Sequence, residues 1–395
     1  MKKIFTLFLF SLSFSPSLVK SDYWTQKADF AGSARRMTSH FAIGSKGYIG
    51  LGYAGANFQD LWEYDPVNNS WAQQLNLPAN ARRLGIGFSI GTKGYFGTGY
   101  DGTYYNDFWE WDQLNNAWTQ MANVPGPPRC DAVAFSIGTK GYVATGYSGT
   151  FLNDLWEWDQ LTNMWVQKTG LPSNPRANAV AFSIGGKGYI STGLDNGNYL
   201  ADLWEWDQLT DTWLQKASFG GTPRYAAECF SMGTYSYVGT GGSFTNDFWQ
   251  WNQLTNTWIQ KANFSGVARD YASGFVIGNK AYLGTGYNGT DLNDFWEYTP
   301  DSTTSVEDFL VSGLQFTVYP NPAKEFTVCS LQFAVSKKIN LSVTNINGRK
   351  FISKQLEIGN SKLETKIDIH TFSKGIYFIE ISDGKEKAVR KFMKE

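Results

Sequence analysis

Asp154-Leu155-Trp156-Glu157-Trp158-Asp159 is the stretch that decides the fold, because near copies of it begin at Asp60, Asp107, Asp202, Asp247 and Asp294. Successive copies lie 47, 47, 48, 45 and 47 residues apart. A period of this length signals a repeat architecture. The same parts return around each copy: an Arg, an apolar run ending in Gly, a Gly-Tyr strand, the Asp-x-Trp segment, and a lone Trp. These four runs read as four short strands. Four antiparallel strands in a unit of about 45 residues predict an all-β fold, a β-propeller rather than a helical solenoid.

Trp156 and Trp158 are two apart and share one face of their strand, from which they should pack on a neighbouring blade. Each buried aromatic is worth roughly 5 kcal/mol gross, at about 25 cal/mol/Å² over about 200 Å². Gly138 and Gly141 read as brackets of the hairpin turn between the first two strands. The lone Trp residues are Trp24, Trp71, Trp118, Trp165, Trp213 and Trp258, so one precedes the first Asp-x-Trp copy and none follows the last. Residues 22–30 should therefore complete the blade that ends near Tyr298 and close the ring.

The composition divides the chain. All 16 Trp lie between Trp24 and Trp296, whereas residues 314–395 have none and hold 14 of the 34 Lys and Arg against 8 acids, a net of +6. Residues 22–313 carry a net of −10. The tail's lysines are scattered along strands, so neither part is charged like a nucleic-acid binder. Residues 1–21, with Lys2 and Lys3 ahead of an apolar run from Ile4 to Phe14, read as a secretory signal peptide. No other segment has the roughly 18 consecutive apolar residues of a transmembrane helix. Cys130, Cys229 and Cys329 make no disulfide framework and read as small buried hydrophobes. Residues 301–313 (DSTTSVEDFLVSG) read as a polar linker. Beyond them, alternating apolar and polar runs that turn at Asn347-Gly348 and Asp383-Gly384 predict a small C-terminal β-sandwich over 314–395.

Arg35, Arg82, Arg129, Arg176, Arg224 and Arg269 hold one repeat position. A ligand has no need of six copies, so they read as scaffold, paired with repeat carboxylates or with carbonyls between blades. Residues that break the repeat are better candidates for a binding surface. Directly after the Arg come Arg36, Arg83, Cys130, Ala177, Tyr225 and Asp270. One further on are Met37, Leu84, Asp131, Asn178, Ala226 and Tyr271. The loops between second and third strands add Tyr104 and Tyr199. The ligand-binding candidates are Arg36, Arg83, Asp131, Asn178, Tyr225, Asp270, Tyr271, Tyr104 and Tyr199, a set suited to a carbohydrate or a peptide. His40 is the one His before the tail, which argues against paired-His copper ligation and a nucleophile-His-acid triad. No catalytic set, metal or cofactor is assigned.

Over residues 22–300 the order Arg, strand, glycine pair, Asp-x-Trp and lone Trp resembles the kelch repeat family, most clearly in Asp154 to Asp159, Trp165 and Arg176. The family's glycine pair is mostly Thr-Gly here, as at Thr98-Gly99 and Thr145-Gly146, and Gly-Gly only at Gly241-Gly242. Six repeats imply a six-bladed kelch-like propeller with ligands on the face where first strands begin. The enzymatic alternative is a sugar mutarotase resembling kelch-type sialic acid epimerases, with Glu228, at an otherwise apolar position, as acid or base. The tail resembles the C-terminal sorting domain of type IX secretion cargo. The resemblance rests on Tyr319-Pro320-Asn321-Pro322, Asn347-Gly348, and Gly375-Ile376-Tyr377-Phe378-Ile379 before Lys391-Phe392-Met393-Lys394. It implies that type IX machinery recognises residues 314–395, that export runs through the periplasm to the cell surface or medium, and that the tail is then cut off within 301–313.

Overall fold

The computed structural model describes residues 22–301 and, beyond them, 316–319, 323–331, 337–345, 349–358, 363–382 and 387–394. The expected signal peptide, nearly all of the expected linker, Pro320, Asn321, Pro322 and the turns at 347–348 and 383–384 lie outside the described residues. Two compact units separate between Pro300 and Asp301.

The strands of the first unit follow the repeat. Val133–Ile137, Lys140–Ala144, Leu155–Asp159 and Met164–Lys168 pair in sequence order, each antiparallel to the next. The first unit contains six such four-stranded sheets. The last takes its outer strand from the other end of the chain: Tyr23–Gln26 pairs with Phe295–Thr299, Trp24 opposite Tyr298. Asp22 adds bonds to the Ala262 amide and the Tyr298 hydroxyl. The first strands of neighbouring sheets lie side by side in a closed cycle.

Backbone hydrogen bonds lock that cycle. Gly52, Gly99, Gly146, Gly193 and Gly241 each donate an amide to the carbonyl of the next repeat's Arg, and Gly286 returns the bond to Arg35 at 2.8 Å. The geometry explains why Thr can replace the first glycine of the expected pair while the second stays. Thr98 has φ 56°, which costs a non-glycine residue roughly 1 kcal/mol. Gly99 has φ 108°, and a Cβ there would meet Arg83 O and Arg82 Cδ at 3.0 Å.

Trp111, Trp158, Trp206 and Trp251 are fully buried against the preceding sheet. The Trp158 ring centroid lies 5.0 Å from those of Tyr95 and Phe108, and Trp165 Nε1 donates to Ala122 O at 2.8 Å. Trp156 is only half-buried and spends its Nε1 on Asp154 at 2.7 Å. Gly138, φ 61°, makes the hairpin turn, but Gly141 does not bracket it. Gly141 sits inside the second strand, where a Cβ would come within 2.5 Å of Phe88. Cys130 is buried, Cys229 half-buried, and both are free thiols.

The second unit has a three-stranded sheet, ordered Phe316–Tyr319, Phe326–Leu331, Leu363–Asp368. Its four-stranded sheet is ordered Lys350–Ile358, Lys337–Asn345, Gly375–Ser382, Lys387–Lys394. Ile367 and Ile369 share one core with Leu341, Val343, Ile379, Ile381 and Phe392. The late glycine motif and the basic end are cross-strand partners: Gly375 faces Lys394, Ile376 faces Met393, Tyr377 faces Phe392 and Phe378 faces Lys391. Tyr377 is a core residue whose hydroxyl donates to Ser373 O at 2.9 Å, whereas Ile376 is exposed. Among the described residues no helix is long and apolar enough to cross a membrane.

Candidate functional site

The six register arginines are all buried. Arg129 shows the pattern: Nη1 and Nη2 donate to Asp154 at 2.5 and 2.7 Å, Nη1 also to Thr145 O at 3.0 Å, and Nε to Pro127 O at 3.2 Å. The same Asp accepts the Trp156 Nε1 bond, so the Asp-x-Trp segment exists to hold an arginine fork. The partners lie within one repeat rather than between blades, because the Arg precedes the first strand of a sheet and the Asp the third, and those two strands begin at the same edge. These guanidinium groups are scaffold.

The residues two after each Arg form an inner ring. Met37, Leu84, Asp131, Asn178, Ala226 and Tyr271 all have φ between 50° and 60°. Each of Leu84, Asp131, Asn178, Ala226 and Tyr271 donates its amide to the carbonyl of the preceding member at 2.9 to 3.1 Å. This turn aims their side chains at the propeller axis, around a pocket of about 110 Å³.

A rim of charged and aromatic side chains surrounds that mouth. The Arg36 guanidinium lies 3.9 Å from the Tyr287 ring and 3.6 Å from Asp291. Arg83 lies 4.6 Å from the Tyr53 ring and donates to Asn57 at 3.0 Å. Tyr104 packs 4.9 Å from Tyr100, Tyr199 the same distance from Tyr225, and Tyr225 6.1 Å from Tyr271. The structure thus brings all nine sequence candidates to one end of the axis.

Two carboxylates dominate the electrostatics. Burial pushes Asp131 up to about 6, against the Cys130 thiol that donates to its Oδ2 at 3.1 Å, Arg83, and Asn178. Burial also pushes Asp270 up to about 6, opposed by Arg36. The Oδ1 of each has no hydrogen-bond partner in the protein. Burial raises the Tyr271 hydroxyl too, with Asp131, Tyr225 and Asp270 adding to the effect, so one phenol feels both carboxylates.

Sequence reasoning passed over Tyr53, Tyr100, Tyr147 and Tyr287. Each follows the ring-closing glycine, in four of six repeats, and such regularity looks like scaffold. Their pairing across to Arg36, Arg83, Cys130 and Asp270 is what puts them on the rim.

Glu228 lies elsewhere. It begins the strand Glu228–Met232 and is buried, and its Oε1 is 3.4 Å from His40 Nε2 and 3.0 Å from the Cys229 amide. Burial raises the Glu228 carboxyl and lowers the His40 imidazole to about 4, so both favour their neutral forms. His40 and Cys229 line a separate axial cavity of about 350 Å³ made by the first strands. Among the described residues no group of three or more His, Cys, Asp or Glu side chains could hold a metal ion.

The raised carboxylates give a stability prediction with a definite sign. An acid whose folded value is about 6 against an ordinary 3.8 contributes fully below about pH 4, and that contribution is lost as pH rises through 6. Asp270→Asn should therefore stabilise the chain at about pH 7 relative to its effect at about pH 4, by on the order of 1–3 kcal/mol. Urea unfolding of both proteins at the two pH values measures it. An identical effect at both would contradict the burial assignment.

Residues 317–395 match the family described as the secretion system C-terminal sorting domain. Such a tail indicates export by type IX secretion to the cell surface or the extracellular space. No curated protein matches the chain. The solved structure of YjhT is similar, with a TM-score of 0.60 and 17% identity over 68% of this chain and 96% of that one. At that identity the likeness is one of fold, and it supports a propeller-like all-β architecture.

Proposed function

We propose that this chain is a secreted or cell-surface binding protein. Residues 22–300 are a six-bladed kelch-like propeller whose axial mouth takes a glycan or protein ligand, with a glycan preferred. Residues 1–21 are its signal peptide, 301–313 its linker, and 314–395 the part read by the type IX machinery. The gathering of the nine repeat-breaking residues at one mouth carries the reading: tyrosine faces beside carboxylates, an amide and two guanidinium groups are suited to stacking on and hydrogen bonding to sugar hydroxyls. A mutarotase would need an acid, a base and an arginine about one pocket, and Glu228 instead faces His40.

The test is a glycan and peptide array probed with the mature chain and with the Arg83→Ala and Tyr104→Ala variants. Each substitution should weaken binding by about 1 kcal/mol or more, while unfolding shifts by less than about 0.5 kcal/mol. Binding that ignores both substitutions, or falls only as stability falls, would contradict the assignment of this mouth.

A further inference from the structure

We infer that the Arg83 guanidinium on the rim takes the carboxylate of a uronic acid residue in a glycan chain, with the adjoining sugars laid against the tyrosines beside it. The inference rests on the reading of this mouth as a glycan site and names the class of sugar.

Arg83 is the exception among the eight arginines of residues 22–301. Six are the buried register arginines, each forked to an aspartate, and Arg36 faces Asp291 at 3.6 Å. Among the described residues no carboxylate forms an ion pair with Arg83. The fold does not dictate an arginine at this place, since the other repeats fill it with Arg36, Cys130, Ala177, Tyr225 and Asp270. A cation packed between rings gives up part of its water, and here no protein anion replaces it.

The packing fixes which edge of the guanidinium is free. It lies 4.6 Å from the centre of the Tyr53 ring and 5.2 Å from that of Tyr100, and Asn57 accepts from Nη1 at 3.0 Å. Nε and Nη2 have no partner among the described residues and are not buried. These two donors lie side by side in one plane, the arrangement that binds both oxygens of a carboxylate. The rings and Asn57 already hold the side chain, so little freedom is lost when a ligand arrives.

The surroundings suit a sugar chain. Tyr53 lies 5.5 Å from Arg36, whose guanidinium is 3.9 Å from the Tyr287 ring, and on the other side Tyr100 packs 4.9 Å from Tyr104. Arg83 thus sits within a ladder of rings and guanidinium groups that crosses three repeats. The Tyr53 and Tyr100 hydroxyls, which have no partner among the described residues and are not buried, stand beside the free edge to meet sugar hydroxyls. The acids of the mouth are engaged elsewhere. Asp195 accepts from Asn174, Asp291 and Asp270 act on Arg36, and Asp131 feels the Arg83 charge but bonds the Cys130 thiol.

Calorimetric titration of the full chain with galacturonate trimer, its methyl ester and a glutamate tripeptide tests this. The acid trimer should bind at least about tenfold more tightly than the other two, since it alone offers both the charge and the sugar faces. Arg83→Gln should bring the acid down to the affinity of the ester, and Arg83→Lys, with the charge but without the paired donors, should recover only part of the difference. Neither substitution should change ester binding or the unfolding temperature. Equal binding of acid and ester would overturn the uronate and leave the glycan reading standing. The tripeptide binding as tightly as the acid trimer would overturn the saccharide. If neither trimer binds, this inference falls, and the array alone decides the glycan reading.

Discussion

Arg129→Ala should destabilise the propeller by about 3–5 kcal/mol, the loss expected when one partner of a buried ion pair is removed. The guanidinium is fully buried and makes two bonds to Asp154, one to Thr145 O and one to Pro127 O. Its loss strands a carboxylate whose one remaining side-chain donor is Trp156 Nε1, and leaves a buried carbonyl unpaired. The damage also spreads between blades, since the Arg129 carbonyl accepts the Gly99 amide at 2.8 Å. A loss of this size is a large part of the 5–15 kcal/mol that a typical domain possesses. Arg129→Lys should recover only part of it, because an ammonium cannot make the fork. Denaturant unfolding of the two variants, with Arg83→Ala at the half-buried rim as a control, measures the contrast. A cost below about 1 kcal/mol for Arg129→Ala would refute the scaffold role of the arginine ring.

Much of this architecture is legible in the sequence, and the parts that are not share a cause. The 47-residue spacing marks the sheets, and the offset between Trp24 and Trp296 marks the closing strand, because both are features of order along the chain. The arginine's partner is harder to read, since it depends on which strand ends meet; Asp60 and its equivalents lie 23 to 26 residues from their Arg. Gly141 looks like a turn residue and is instead the space into which Phe88 of the preceding sheet fits. The rim tyrosines are hidden by their own regularity. His40 and Glu228 meet only because the ring closes, and nothing local links them.

The candidate site divides the same way. Departures from the repeat point to Asp131, Asp270, Tyr271 and their neighbours, since a constant frame makes variation visible. That Asp131, Asn178 and Tyr271 look onto one axis follows from six positive-φ turns, set by the hydrogen bonds between blades rather than by glycine.

The other large expected effect concerns the tail. Residues 317–395 match a secretion sorting domain, and two of the motifs that carry the resemblance pair residue for residue on neighbouring strands. Gly375–Phe378 and Lys391–Lys394 are therefore one strand pair, which is lost whole when the last strand is lost. The account turns on the propeller meeting its ligand outside the cell, and surface proteolysis of a host with type IX secretion tests that most directly. With the full chain, the propeller should be reached by added protease or recovered from the medium. Without residues 314–395 it should stay inside, with surface and medium signal reduced to background. Delivery of the shortened chain at the full-length level would contradict the account.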